Sequence, residues 1–272
     1  MIQQFDSRPI GVFDSGIGGL TVLQALIQKF PSENFLYLGD TARLPYGSKS
    51  APTVRKYSEQ NMNFLVSREV KAIVVACNTA STQVSETEFM GRPVYNVIDP
   101  GSLLASQKTK NKNVAILGTR ATVKSDIYRK KIQALDSEIQ VESIACPLFV
   151  PLAEEGWHDN DITLQVAQKY LAPLKNKNID TVVLGCTHYP LLKVTLQKIF
   201  GPGVELIDSG VAISQLLQDD FTNGKLLKNN SEKQHDLKVC LTDFGPQFES
   251  LATELIKGVT ARTIQFETVS VI

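Results

Sequence analysis

Two short uncharged stretches constrain this chain more than anything else in it. Ala72-Ile73-Val74-Val75-Ala76-Cys77-Asn78-Thr79 and Thr181-Val182-Val183-Leu184-Gly185-Cys186-Thr187-His188 share one plan: a β-branched run, a small residue, a cysteine, then hydrogen-bonding side chains. Runs this short and rich in valine suit strands covered on both faces, as in a parallel sheet, better than helices. Open parallel sheets bind ligands at the carboxyl ends of their strands, which is where both cysteines fall. Two such ends facing one another make a single site with two thiols.

The flanking sequence repeats the plan. Ile10-Gly11-Val12-Phe13 reads as a strand that turns through Asp14-Ser15-Gly16-Ile17-Gly18-Gly19 into a helix with Leu20, Leu23, Ile27 and Phe30 on one face. As a dinucleotide fingerprint this turn fails, because its third glycine is misplaced and Asp14 would repel phosphate; a carboxylate or ammonium ligand is expected instead. Phe35-Leu36-Tyr37-Leu38 is the next strand, followed by a long loop through Pro45, Tyr46 and Gly47 in which Tyr46 is expected to lid a pocket or sit in a surface turn. A helix over about 53–67 leads to the Cys77 strand, and a strand over 94–97 ends at Ile98-Asp99-Pro100-Gly101, read as a hinge.

The second half restarts with Val114-Ala115-Ile116-Leu117 running to Thr119, where Thr119 takes the place of Asp14 at nearly the same distance from its cysteine. Strands are expected over 139–144 and 204–207, the latter ending in Asp208-Ser209-Gly210, an echo of Asp14-Ser15-Gly16. A polar loop over 222–236, a strand over 237–241, a helix near 247–257 and a strand over 263–266 then return to the first lobe. The expected fold class is α/β, with two pseudo-symmetric lobes, each a mostly parallel sheet flanked by helices, and the active site in the cleft between them. Residues 1–97 with 211–272 form a discontinuous first lobe, and 98–210 the second.

Composition removes several functions. Lys and Arg together number 28, as do Asp and Glu, so no net field draws the chain to nucleic acid or an anionic membrane, and small molecules or proteins are the expected partners. No apolar run approaches the ~20 residues of a membrane span and residues 1–9 carry no secretory pattern, so the cytoplasm is expected. Cys77, Cys146, Cys186 and Cys240 contain no C-x-x-C pair, and with only His158, His188 and His235 no metal-ligand spacing emerges.

Two thiols across a cleft can invert a carbon bearing an acidic hydrogen, since that requires a base on one face and a proton donor on the other. Cys146 and Cys240 read as small core residues. A single nucleophilic cysteine assisted by His188, as in a hydrolase, is the competing enzymatic reading. A two-lobed binding or regulatory protein with incidental thiols is the reading from another class.

The motifs GVFDSGIGGL (Gly11 to Leu20), YLGDTARLPYG (Tyr37 to Gly47), VVACNTAS (Val74 to Ser81), VAILGT (Val114 to Thr119), VPLAE (Val150 to Glu154) and LGCTHYPLL (Leu184 to Leu192) span essentially the whole chain. On them the sequence resembles the glutamate racemases of the cofactor-independent aspartate/glutamate racemase superfamily. The resemblance implies interconversion of L- and D-glutamate, supply of D-glutamate for peptidoglycan, no pyridoxal phosphate, metal or other cofactor, and a homodimer. It implies that Cys77 removes the α-proton of D-glutamate and Cys186 that of L-glutamate. Asp14 then assists Cys77, while His188 and Glu154 assist Cys186. Asp14, Ser15, Pro45, Tyr46, Gly47, Asn78, Thr79, Thr119, Thr122, Thr187 and His188 match the substrate-holding positions. Glutamate and aspartate differ by one methylene, worth only ~1–3 kcal/mol in a pocket, so aspartate racemase is the runner-up.

Overall fold

The two cysteine strands lie in two separate sheets. The structure is a computed structural model that describes residues 5–229, 236–245, 248, 252–253, 255–256 and 264–271. Its strands are β1 (Ile10–Asp14), β2 (Phe35–Gly39), β3 (Ala72–Val75), β4 (Glu88–Phe89), β5 (Arg92–Asn96), β6 (Asn113–Gly118), β7 (Gln140–Ala145), β8 (Thr181–Gly185), β9 (Glu205–Asp208), β10 (Leu237–Leu241) and β11 (Ile264–Thr268). The helices are α1 (Leu20–Lys29), α2 (Ala51–Ser67), α3 (Asn78–Ser81), α4 (Ile98–Lys108), α5 (Arg120–Ser125), α6 (Ile127–Leu135), α7 (Phe149–Glu154), α8 (Asp161–Leu171), α9 (Lys193–Phe200) and α10 (Ser209–Thr222).

One sheet has the order β11-β10-β2-β1-β3-β5-β4, parallel except where β4 runs against β5; the other, β7-β6-β8-β9, is wholly parallel. In each, the first strand lies between the second and the third, β2-β1-β3 and β7-β6-β8, and the cysteine comes just after the third. The reversal of strand order beside the first strand is where such sheets open a ligand crevice. The shared order gives the two lobes their pseudo-symmetry.

Burial on both faces explains the sequence pattern of the strands. Ile10 and Val12 join Val74 in a core with Leu23, Ile27, Ile213 and Leu217, whereas Phe13 joins Ile73 and Val75 over Val54, Met62 and Leu65. Successive side chains point to opposite faces, so a strand covered on both must be apolar at every position. Val182 and Leu184 pack toward Phe149 and Leu196, while Val183 packs toward Tyr128 and Ile132.

Ile98-Asp99-Pro100-Gly101, read as a hinge, forms the first turn of α4, where the Asn96 side-chain oxygen accepts from the backbone N–H groups of Ile98 and Asp99 at 3.0 and 3.1 Å. Pro100 is tolerated there because N–H groups in a first turn have no intrahelical acceptor. The tail joins the first sheet, β10 pairing with β2 and β11 with β10. Of the expected tail elements, most of the helix near 247–257, Thr263 and the loop segment 230–235 lie outside the described residues. Among the described residues, no helix is long and apolar enough to cross a membrane.

Candidate active site

The ends of β1, β3 and β8 open into one cavity of about 210 Å³ lined by both Cys77 and Cys186. That is below the ~300–1,000 Å³ of pockets for drug-sized ligands and suits a small metabolite. A larger hollow of about 460 Å³ between α4, α6 and α10 is lined by Leu103, Leu135 and Leu216 and, among the described residues, by no thiol. Chemistry rather than size therefore marks the site.

Cys77 is the residue immediately before α3, and its sulfur caps that helix by accepting from the Ala80 N–H at 3.4 Å. The thiol also donates to the Ser15 hydroxyl at 3.6 Å. Burial pushes the Cys77 thiol well up from its ordinary range, and the nearby Asp14 carboxylate pushes the same way; the two hydrogen bonds oppose them only in part.

Cys186 has different neighbours. Its sulfur lies 3.8 Å from His188 Nδ1, and His188 Nε2 lies 3.0 Å from Glu154 Oε1 at the end of α7. Burial alone would lower the His188 pKa, but hydrogen bonds and charge from Cys186 and Glu154 outweigh it and push it up to about 10. The ring lies between the Cys186 sulfur and a carboxylate, and negative charge on either favours its protonated form.

Of the residues singled out in the sequence, Ser15, Pro45, Tyr46, Gly47, Asn78, Thr79, Thr119, Thr187 and His188 line the cavity with the two cysteines. Asp14, Thr122 and Glu154 stand one layer behind. Asp14 is fully buried, accepting from the Gly16 N–H at 3.0 Å and the Thr187 hydroxyl at 3.3 Å. Desolvation raises its pKa, opposed by the positive His188 and by these donors. Gly18 makes room for this arrangement, since a Cβ there would fall 2.4 Å from His188 Nδ1.

Thr122 closes a triangle of hydroxyls with Thr79 and Thr119, at 2.9 Å between Thr79 and Thr119, 3.2 Å between Thr79 and Thr122, and 3.0 Å between Thr119 and Thr122. It joins α3 to the start of α5. Tyr46 is neither a lid nor a surface residue: it is fully buried, its hydroxyl donating to Asp40 and accepting from Asn61 at 3.1 Å. Arg43 holds the same Asp40 carboxylate at 2.7 Å, so the loop is fixed from beneath. Cys146 and Cys240 are buried in the cores.

The cavity wall also contains Ser48, Arg120, Pro147, Val150 and Pro151, which sequence reasoning missed as lining residues. No local pattern distinguishes Arg120 from a solvated arginine. Pro147, Val150 and Pro151 occur in an apolar run whose visible signal was Glu154. Among the described residues no aspartate or glutamate lines the cavity, whereas His188 and Arg120 do, a balance that suits a carboxylate-bearing ligand.

A family model described as Asp/Glu/Hydantoin racemase matches residues 11–217. A glutamate racemase of Geobacter metallireducens is 46% identical over 83% of this chain and 84% of that protein. Another, of Syntrophus aciditrophicus, is 49% identical over 92% of this chain and 93% of that protein. The crystal structure of a glutamate racemase from Francisella tularensis in complex with D-glutamate superposes with a TM-score of 0.88 at 38% identity, covering 97% of this chain and 98% of that one.

Proposed function

The chain belongs to the Asp/Glu/Hydantoin racemase family and is an amino-acid racemase, and on that premise we propose that it interconverts L- and D-glutamate by a two-base mechanism that uses Cys77 and Cys186. The observation that carries the mechanism is the single cavity lined by both thiols. The relatives that carry the substrate are glutamate racemases matching most of the chain. D-glutamate for peptidoglycan is the corresponding product, and the cytoplasm and a homodimer are the corresponding setting. We assign residues 1–97 with 211–272 to one lobe and 98–210 to the other, following sheet membership.

In the D to L direction the Cys77 thiolate removes the α-proton and the Cys186 thiol protonates the opposite face; in the reverse direction the roles exchange. Cys77 needs help to ionise, because burial and Asp14 oppose its charge. The substrate ammonium brings a positive charge into the same cavity and supplies that help. On the other side His188, backed by Glu154, gives a proton to Cys186 or takes one from it. The developing carbanion is stabilised by fixed donors, the hydroxyls of Ser15, Thr79 and Thr119 among them. Acid–base assistance of this kind is worth ~10²–10⁴ in rate.

The test is incubation of the purified protein with L-glutamate in D₂O without added cofactor. Deuterium at Cα and decay of optical rotation are expected, and retention of both the α-hydrogen and the rotation would sink the proposal. Running L-aspartate in parallel decides the substrate. One observation favours a second reading: Cys186, His188 and Glu154 lie in line as nucleophile, base and orienting carboxylate, the order a cysteine hydrolase requires. Such an enzyme would release an acyl product and survive Cys77→Ser. The racemase gives Cys77 a task and the hydrolase does not.

A further inference from the structure

Asn78 lines the cavity and is 2% exposed, yet its side-chain oxygen has no hydrogen-bond partner. Among the described residues four buried side-chain polar atoms lack a partner, and only this one belongs to a residue lining the cavity that holds both thiols. Its amide nitrogen is fully engaged, donating to the Tyr128 hydroxyl at 2.8 Å and to Ser209 Oγ at 3.1 Å. Both acceptors come from across the cleft, Tyr128 on α6 and Ser209 at the start of α10. Ser209 donates its own proton to the Leu184 carbonyl at 3.5 Å, on the strand that carries Cys186. Donation to Leu184 leaves Ser209 an acceptor toward Asn78, which matches the amide nitrogen facing it.

The Tyr128 ring reaches this point through a slot between two glycines. A Cβ at Gly101 would lie 3.5 Å from one ring carbon, and one at Gly185 would lie 3.4 Å from another and 2.8 Å from the Leu117 carbonyl oxygen. Burial pushes the Tyr128 phenol up, so it keeps its proton across the working range. A buried oxygen without a donor costs stability unless something else satisfies it. An amino-acid substrate offers carboxylates, which only accept, and one strong donor, its α-ammonium.

We infer that Tyr128, with Ser209, is a positioning residue that fixes the Asn78 amide so that its free oxygen accepts a hydrogen bond from the α-ammonium of the bound amino acid. This rests on the racemase reading and adds to it the group that reads the amine. Because the ammonium is present in substrate, intermediate and product alike, the contact contributes uniform binding and acts on KM more than on kcat.

The test compares wild type, Tyr128→Phe, Asn78→Ala and the double variant, with racemisation of both enantiomers followed by circular dichroism. Tyr128→Phe should raise KM for L- and D-glutamate about tenfold, as for loss of one hydrogen bond to a charged group, with kcat changed less than about threefold. In the Asn78→Ala background it should add nothing. Glutarate, the same dicarboxylate without an amine, should inhibit Tyr128→Phe and wild type equally. Wild-type KM in Tyr128→Phe, an equal loss with and without Asn78, or weaker glutarate inhibition would overturn the inference, the last two marking a merely structural role. Ser209→Ala, expected to show the same pattern at about threefold, replaces Tyr128→Phe if that variant fails to fold. If wild type leaves glutamate unchanged the racemase reading fails by itself. Calorimetric binding of D-glutamate and glutarate to the same variants then still decides the role of Tyr128.

Discussion

The two thiol sides occupy matching places in matching sheets, yet they are equipped differently. Cys77 meets a serine hydroxyl and a backbone N–H, both neutral, and is buried with an aspartate nearby. Cys186 meets a histidine whose pKa is raised and which is backed by a glutamate partly open to solvent. Strand order is inherited by both halves of the fold, but the proton equipment is set by single residues at the strand ends. A symmetric scaffold therefore presents an asymmetric pair of acids and bases to a substrate whose two forms are mirror images at Cα.

The largest expected effect would break the comparison. Cys77→Ser and Cys186→Ser should each lower net racemisation by about 10³ or more, because a two-base inversion has no substitute for either partner; a variant that keeps wild-type turnover would end the mechanism. Cys146→Ser and Cys240→Ser should retain activity. His188→Gln should cost about 10² in kcat/KM, the lower end of general acid–base assistance. The loss must be equal in both directions, since the enantiomers have equal free energy. The asymmetry appears instead in a larger deuterium isotope effect with L-[2-²H]glutamate than with the D form, measured by initial rates. Equal isotope effects would show that the histidine does not belong to one side.

Glu154→Gln should cost about tenfold, less than His188→Gln because its carboxylate is partly solvated. Ser15→Ala should cost only about threefold, a neutral hydrogen bond to sulfur being weak, with the isotope effect now larger for D-[2-²H]glutamate. The smallest effect is on stability. A histidine whose folded pKa is about 10 against an ordinary 6.5 contributes stability that is complete below about pH 6.5 and lost as pH rises through about 10. The difference in Tm between wild type and His188→Gln should therefore shrink across that window, and a constant difference would remove the charge from His188.

The strands were legible because burial on both faces forbids polar residues, leaving runs such as 72–76 and 181–184 that only a covered strand explains. The cysteines were legible because two such runs end alike. Ile98-Asp99-Pro100-Gly101 was not legible as a helix start, because its proline and glycine read as a turn while the Asn96 side chain caps a helix there. Tyr46 misled because its anchor, Asp40, sits on the far side of a short turn, and nothing local announces that a loop tyrosine is tied down from below. Arg120 and Tyr128 escaped altogether. Their roles depend on what the fold brings opposite them, and residues far apart in the chain leave no periodic trace of meeting.

The threonine triangle where α3 meets α5 has a consequence for turnover. Each hydroxyl can give or take a proton, so the seam has no fixed polarity and no net charge. Any separation at this seam during turnover would exchange alcohol contacts for water without moving an ion through a changing dielectric. The seam adds no charge to either side of the substrate, so the difference between the two sides rests with the sulfurs and their neighbours.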